Sequence, residues 1–518
     1  MLRKCFALMI TLALLLSGCR SDGSDSSIYE EQMDRIVEDD IVRQEALDEE
    51  LPPATVIDES TVIRRPSAPL TEISERTKAD GEHKELIIYN FTANKNPSFD
   101  MLYILAQRFM KLHPDVKIII QSDSLVIGDF NASVEKYTTR TMTALAAGTS
   151  VDIIDFTFLP VGKINGPGYF ANIRDFMDND AGFNPDDFYS NVFDATTENG
   201  YMWSFPLSFR YDLLSIHTEL AALAGIDFSS PKPITYKEAL DIYDKVKATD
   251  MSSENLYLWA FSCIEEPFVY NWDTIVDMQT NTVTMDTPEF RSILERMLAI
   301  PVYEKCVSYS PGGLMQTSTD DYSANNRAVF YNGSIADTEG ISRLLPHIYD
   351  NRNRFSENLV PIKYDDGSMF FMPSRCYGIT KQCPEKELAW EFLKFIATGM
   401  TEYTDDVVEP MFPHFLYESS WPVNKVDFRN TLRLQFDEAI AYSNGRYNFM
   451  NDDYQAVLES MYERLDEWNR QCNRAVSYDY TLEAELMWPD LYQLISGKQS
   501  VDMTLANLQS RLEIYLSE

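Results

Sequence analysis

The 518-residue sequence predicts an α/β fold built on a parallel sheet, and two observations carry that prediction. Leu86–Phe91 and Val116–Ile120 are short apolar runs of strand length that flank a helical pattern. The unit then repeats, with a second helix running into a third apolar run at Val151–Phe156. Strand, helix and strand at this spacing make βαβ units, which force neighbouring strands to run parallel.

Each element follows from its own residues. Leu86-Ile87-Ile88-Tyr89-Asn90-Phe91 lacks polar alternation, as a strand buried on both faces does. Thr92–Pro97 is a loop. A helix over 98–112 places Leu102, Leu105, Phe109 and Leu112 at helical spacing, and His113-Pro114-Asp115 ends it. The second helix spans 134–147 and stops at Gly148. In such a sheet, ligands sit in the loops beyond the C-terminal strand ends.

Upstream of this region the chain has a different character. Arg3 and Lys4 precede an almost unbroken apolar run from Phe6 to Leu16, which ends in Leu16-Ser17-Gly18-Cys19. That is the architecture of a lipoprotein signal. The run is too short for a bilayer span, which needs roughly 20 residues. Cleavage before Cys19 leaves its sulfur as the diacylglycerol acceptor, so 1–18 is expected to be the signal peptide. Residues 19–84 then form an acidic tether, with Asp/Glu runs at 38–40 and 48–50, prolines at 52, 53, 66 and 69, and Tyr29 as the only aromatic residue. Met33, Ile36, Val37, Ile41 and Val42 share one face of a helix within 30–51. The expected location is the extracytoplasmic face of the cell membrane, with lipid as the only attachment.

Composition excludes several classes. A net charge of −37 leaves no basic stripe for nucleic acid and opposes broad adhesion to anionic lipid. The cysteines at 263, 306, 376, 383 and 472 are odd in number and scattered, with no CxxC spacing. The five histidines show no HxxxH pattern, so neither a disulfide framework nor a zinc site is expected, and no cofactor is implied. Neither a GxSxG elbow nor a phosphate loop ending in GKS or GKT is present, and the reading is a non-enzyme.

Several segments, in order, resemble the family 1 extracellular solute-binding proteins of ABC importers. They are "HPDVKI", "TALAAGTSVDIIDF", "GYMWSFPLSFRYDLLSIHTELAALAGID", "PKPITYKEALDI", "NNRAVFYNGS", "YGITKQCPEKELAWEFLKFIAT" and the C-terminal "LISGKQSVDMTLANLQSRLEIYLSE". The resemblance spans roughly 85–518. It implies a two-lobed, type II periplasmic-binding-protein-like fold with lobe 1 at 85–198 plus 367–404 and lobe 2 at 199–366 plus 405–518. It also implies a monomer that closes on a small solute, most simply an oligosaccharide, and delivers it to the transporter's permease subunits. A surface sensor or scaffold that feeds no transporter is the alternative reading, favoured by the long tether.

Sugar sites combine aromatic faces, on which C–H surfaces stack, with planar polar groups for the hydroxyls. Candidate loops here carry both. Asn94, Lys95 and Asn96 follow the first strand, and Phe158 follows the third. Trp203, Arg210 and Tyr211 cluster where a lobe crossing is expected. Glu265, Tyr270 and Trp272 form an aromatic-acidic loop, Asp337 follows "YNGS", and Trp488 precedes the C-terminal helix. Arg210 either clamps a carboxylate of the ligand or pairs with Asp212. The acidic loops leave a cationic or peptide ligand open.

Overall fold

The computed structural model describes residues 84–92, 101–124, 130–148, 151–157, 159, 164, 166–211, 213–227, 232–249, 257–259, 268, 275–277, 282–300, 307–310, 313–316, 328–333, 357–398, 420–442, 454–476 and 486–517. The signal, the anchor Cys19 and the tether helix lie outside the described residues.

The expected βαβ units are present. Strand β1 (Lys84–Thr92) is followed by helix α1 (Met101–Leu112), β2 (Val116–Ser124), helix α2 (Phe130–Ala147) and β3 (Ile153–Asp155). β1 lies parallel to β2 along its whole length, Lys84 opposite Val116 through Thr92 opposite Ser124. β3 is parallel to the other edge of β1. Leu86 and Ile88 face one core while Ile87 and Tyr89 face another, which is why the run carries no polar alternation. Of the α1 stripe, Leu102, Leu105 and Phe109 are buried but Leu112 is 63% exposed, because it stands on the last turn as the chain leaves for β2. Helix α2 starts before the expected Val134.

The remaining strands, in chain order, are β4 (Phe205–Arg210), β5 (Leu213–His217), β6 (Ile234–Thr235), β7 (Tyr257–Trp259), β8 (Val276–Asp277), β9 (Thr282–Val283), β10 (Val307–Ser310), β11 (Gly313–Gln316), β12 (Ala328–Gly333), β13 (Glu357–Lys363), β14 (Met369–Ile379), β15 (Trp421–Pro422) and β16 (Cys472–Ala475). The main path of the large sheet runs β2-β1-β3-β14-β13-β5-β12-β7. β14 is antiparallel to β3 and β4, and β5 is antiparallel to β12 and β13, so the sheet is mixed rather than wholly parallel.

Two large hydrophobic cores lie along this path. The first gathers α1, β4, the helix Lys386–Thr398 and the helices Lys425–Tyr442 and Tyr454–Gln471. The second gathers β5, β12, β13 and the helices Tyr236–Thr249, Pro288–Leu298, Trp488–Ile495 and Val501–Ser517. The described part of the expected lobe 2 segment 405–518 divides between the two cores. Trp421, Phe428, Leu432, Phe436, Met461, Leu465 and Trp468 pack in the first core, whereas Trp488, Leu491, Leu494, Leu505, Leu508 and Leu512 pack in the second. An amphipathic helix shows from sequence that it is covered, but not which face of which sheet covers it. Likewise Met202, Phe205, Leu207 and Phe209 of the segment beginning at 199 belong to the first core.

Among the described residues, three segments contribute side chains to both cores. Phe209 packs in the first and Leu214 in the second; Ile362 and Phe370 lie in the second and Phe371 and Tyr377 in the first; Cys472 lies in the first and Val476 in the second.

Candidate ligand-binding site

The C-terminal end of β3 and the strands β4 and β14 meet around one of the expected residues, Trp203. Tyr377 of β14 stands opposite both Asp155 of β3 and Phe205 of β4, which puts the three strands in one layer. Trp203, just before β4, is half-buried. Its ring meets Phe156 edge-to-face at 5.0 Å and tilts against Phe170 at 6.0 Å. Two glycines make room for this arrangement. A Cβ on Gly166 would lie 2.4 Å from the Trp203 indole, and one on Gly378 would lie 2.5 Å from Phe156 and 2.8 Å from the Trp203 carbonyl.

Asp155 was not singled out by the sequence reading. It is fully buried. Its Oδ1 accepts hydrogen bonds from the Thr157 amide at 2.8 Å and the Thr157 hydroxyl, whereas its Oδ2 meets no hydrogen-bond partner among the described residues. Burial pushes its carboxyl above the ordinary carboxylate range, against the opposing pull of the Arg375 charge and the Thr157 hydrogen bonds. Tyr137 locks the same strand end by donating from its hydroxyl to the Asp155 carbonyl at 2.7 Å.

Arg375 was also missed. Its φ of 47° is left-handed, a conformation that costs a residue other than glycine about 1–3 kcal/mol. Pro373, Ser374 and Arg375 are half-buried, while Met369–Met372 and Cys376–Ile379 on either side are buried. The sequence signal is a charged residue inside an apolar strand run, "MFFMPSRCYGI".

A second polar cluster lies two strands over, beyond β1. Asp123 of β2 is buried and binds Arg140 at 2.6 Å and Lys136 at 3.5 Å, with the Tyr89 hydroxyl donating to its other oxygen. Tyr89 stacks on Tyr137 at 4.9 Å, so this cluster braces the wall formed by β1 and α2.

The other expected residues fall into three groups. Arg210 is exposed at the end of β4, opposite Met372, and forms no ion pair among the described residues. Tyr211 is 4% exposed, and its hydroxyl donates to Asn469 Oδ1 at 3.0 Å. Trp488 is 2% exposed and packs in the second core. Both side chains are buried among the packed residues of the two cores. Asn94, Lys95, Asn96, Phe158, Glu265, Tyr270, Trp272 and Asp337 lie outside the described residues.

No protein-family model matches the chain, and no curated protein matches it by sequence. Solved structures do match in fold. An extracellular solute-binding protein of family 1 from Alicyclobacillus acidocaldarius aligns over 84% of this chain and 99% of its own, at a TM-score of 0.53 and 12% identity. The sugar-binding protein MalE from Xanthomonas citri aligns over 84% and 98%, at 0.51 and 17%. A sugar transporter protein from Rhizobium etli, in an open conformation, aligns over 83% and 99%, at 0.50 and 13%. The mixed α/β architecture is thus the two-lobed, periplasmic-binding-protein-like fold.

Proposed function

We propose that the chain is a lipid-anchored extracytoplasmic solute receptor of the family 1 type, which captures a sugar between its lobes and delivers it to the permease subunits of an ABC importer. The observation that carries this reading is the set of three crossing segments. Two packed cores linked by such segments can close and open as units, and a solute that bridges them favours the closed state by its differential affinity. Trp203 supplies an apolar ring for a sugar face beside the crossing. The fold neighbours described as solute-binding, sugar-binding and sugar-transporting support the same class. The signal ending at Cys19 supports the anchor.

A melting screen of the full chain in mild detergent tests the reading against sugars, amino acids and peptides. A ligand at 100 times its Kd adds about 2.7 kcal/mol to stability, enough to move the melting midpoint visibly. Sugars should raise it. A rise with amino acids or peptides and none with any sugar contradicts the sugar class.

A further inference from the structure

Strands β14 and β16 lie parallel, with Met369 opposite Cys472 but Phe370 opposite Arg474 and Phe371 opposite Ala475. Asn473 is therefore left over between consecutive residues of β14, which makes it the extra residue of a β-bulge. Side chains alternate along a strand, so Cys472 and Val476 would share a face if β16 were regular. Cys472 packs instead in the first core and Val476 in the second, because the bulge reverses the alternation between them. The bulge is also closed by its own side chain. The Met369 amide donates to Asn473 Oδ1 at 3.0 Å, a side-chain oxygen where a regular ladder would offer a carbonyl.

Both flanks of Asn473 are tied down. On the upstream side, Asn191 donates from its side-chain amide to the Asn469 carbonyl at 2.9 Å and the Cys472 carbonyl at 2.6 Å, where the helix Tyr454–Gln471 runs out of donors of its own. Tyr189 donates to Asp466 Oδ1 at 2.8 Å, and Tyr211 to Asn469 Oδ1 at 3.0 Å. Tyr189, Tyr211 and Trp468 all belong to the first core. On the downstream side, the Arg474 guanidinium lies 4.1 Å from the centre of the Tyr364 ring, which packs in the second core, and 3.6 Å from Asp366. Between these two anchorages stands one solvent-exposed residue.

The other shared segments sit in regular ladders. β5 faces β13 through five consecutive pairs from His217–Glu357 to Leu213–Pro361, and β4 keeps one register against β14 from Arg210–Met372 to Phe205–Tyr377. Turning one body against the other inside such a ladder strains several backbone hydrogen bonds together. At the bulge the ladder is already interrupted, and hinge motion is taken up by a few residues of this kind at element ends.

We infer that the β14–β16 bulge is the joint at which the two bodies turn, and that the Asn473 side chain holds its resting angle through the Met369 amide. The inference deepens the receptor reading, whose closing motion needs a joint. The melting screen of the parent chain judges that reading by itself, so the two can fail separately.

Pulsed electron spin resonance on the full chain in mild detergent, without any ligand, tests the joint. Nitroxides carried on a ketone-bearing residue at Leu112 and Met503 measure between the bodies, and at Leu112 and Val426 within the first. All three positions are exposed, and the native cysteines stay untouched. Asn473→Ala removes the acceptor, so the between-body distance distribution should widen by several ångströms while the within-body one keeps its width. Asn473→Asp keeps an oxygen for the Met369 amide and should hold the parent width. A between-body width in Asn473→Ala no greater than the parent's overturns the inference. Equal widening of both distributions, which is loosened packing rather than bending, overturns it too, as does an Asn473→Asp chain as loose as Asn473→Ala.

Discussion

Gly166→Ala is the most direct steric probe of the region around Trp203. An added Cβ would lie 2.4–2.5 Å from three carbons of the indole. Non-bonded carbons ordinarily sit about 3.5–4.0 Å apart, so the ring must retreat by about 1 Å. Phe156 and Phe170, both buried, stand against that retreat at 5.0 and 6.0 Å. Overpacking of this kind costs about 1–3 kcal/mol. In a lobe of about 200 residues that lowers the melting midpoint by about 3–9 °C. The cost should depend on the indole. On a Trp203→Ala background the new methyl enters vacated space, and Gly166→Ala should then be nearly neutral. Near-ultraviolet circular dichroism melts of the four proteins give the coupling, which should approach the whole cost of the single substitution. Equal costs with and without Trp203 would refute the packing argument, as would an unchanged midpoint in Gly166→Ala.

Three further predictions follow from the same geometry. Tyr211→Phe leaves the buried Asn469 Oδ1 without its donor at the first crossing, so it should cost about 1–3 kcal/mol in urea denaturation; no loss would mean that bond is not formed. Asp155, held above its unfolded range by burial, binds its proton more tightly when folded, so its contribution to stability falls as pH rises through the raised range; Asp155→Asn should flatten that slope in melts across pH 4–8, and an identical slope contradicts the assignment. Cys19→Ala should release the full chain from membranes, and its retention after a carbonate wash would place the anchor elsewhere.

Much of the fold is legible in the sequence because βαβ units announce themselves locally. The unalternating run Leu86–Phe91 could only be a strand covered on both faces, and the structure covers it with two different cores. What the sequence could not assign were long-range choices. The helices of 425–471 carry apolar stripes that fit either core, and only the tertiary packing sends them to the first. The site shows the same limit. Trp203, Tyr211 and Trp488 look alike as aromatics near expected loops, yet one is half-buried beside a crossing and two are core residues. Arg375 and Asp155 carry a readable signal, a charge inside or at the end of an apolar strand. The backbone turn that makes Arg375 unusual has no counterpart in residue type, since glycine is the residue that conformation ordinarily selects.

Small-angle scattering of the unlipidated Cys19→Ala chain, with and without a sugar identified in the melting screen, tests the central claim most directly. A two-lobed receptor that closes on its solute by bending at the segments its lobes share should become more compact when saturated, with the radius of gyration falling in step with calorimetric occupancy. A sugar that saturates the protein and leaves the scattering curve unchanged would contradict closure as the way this chain signals that it is loaded.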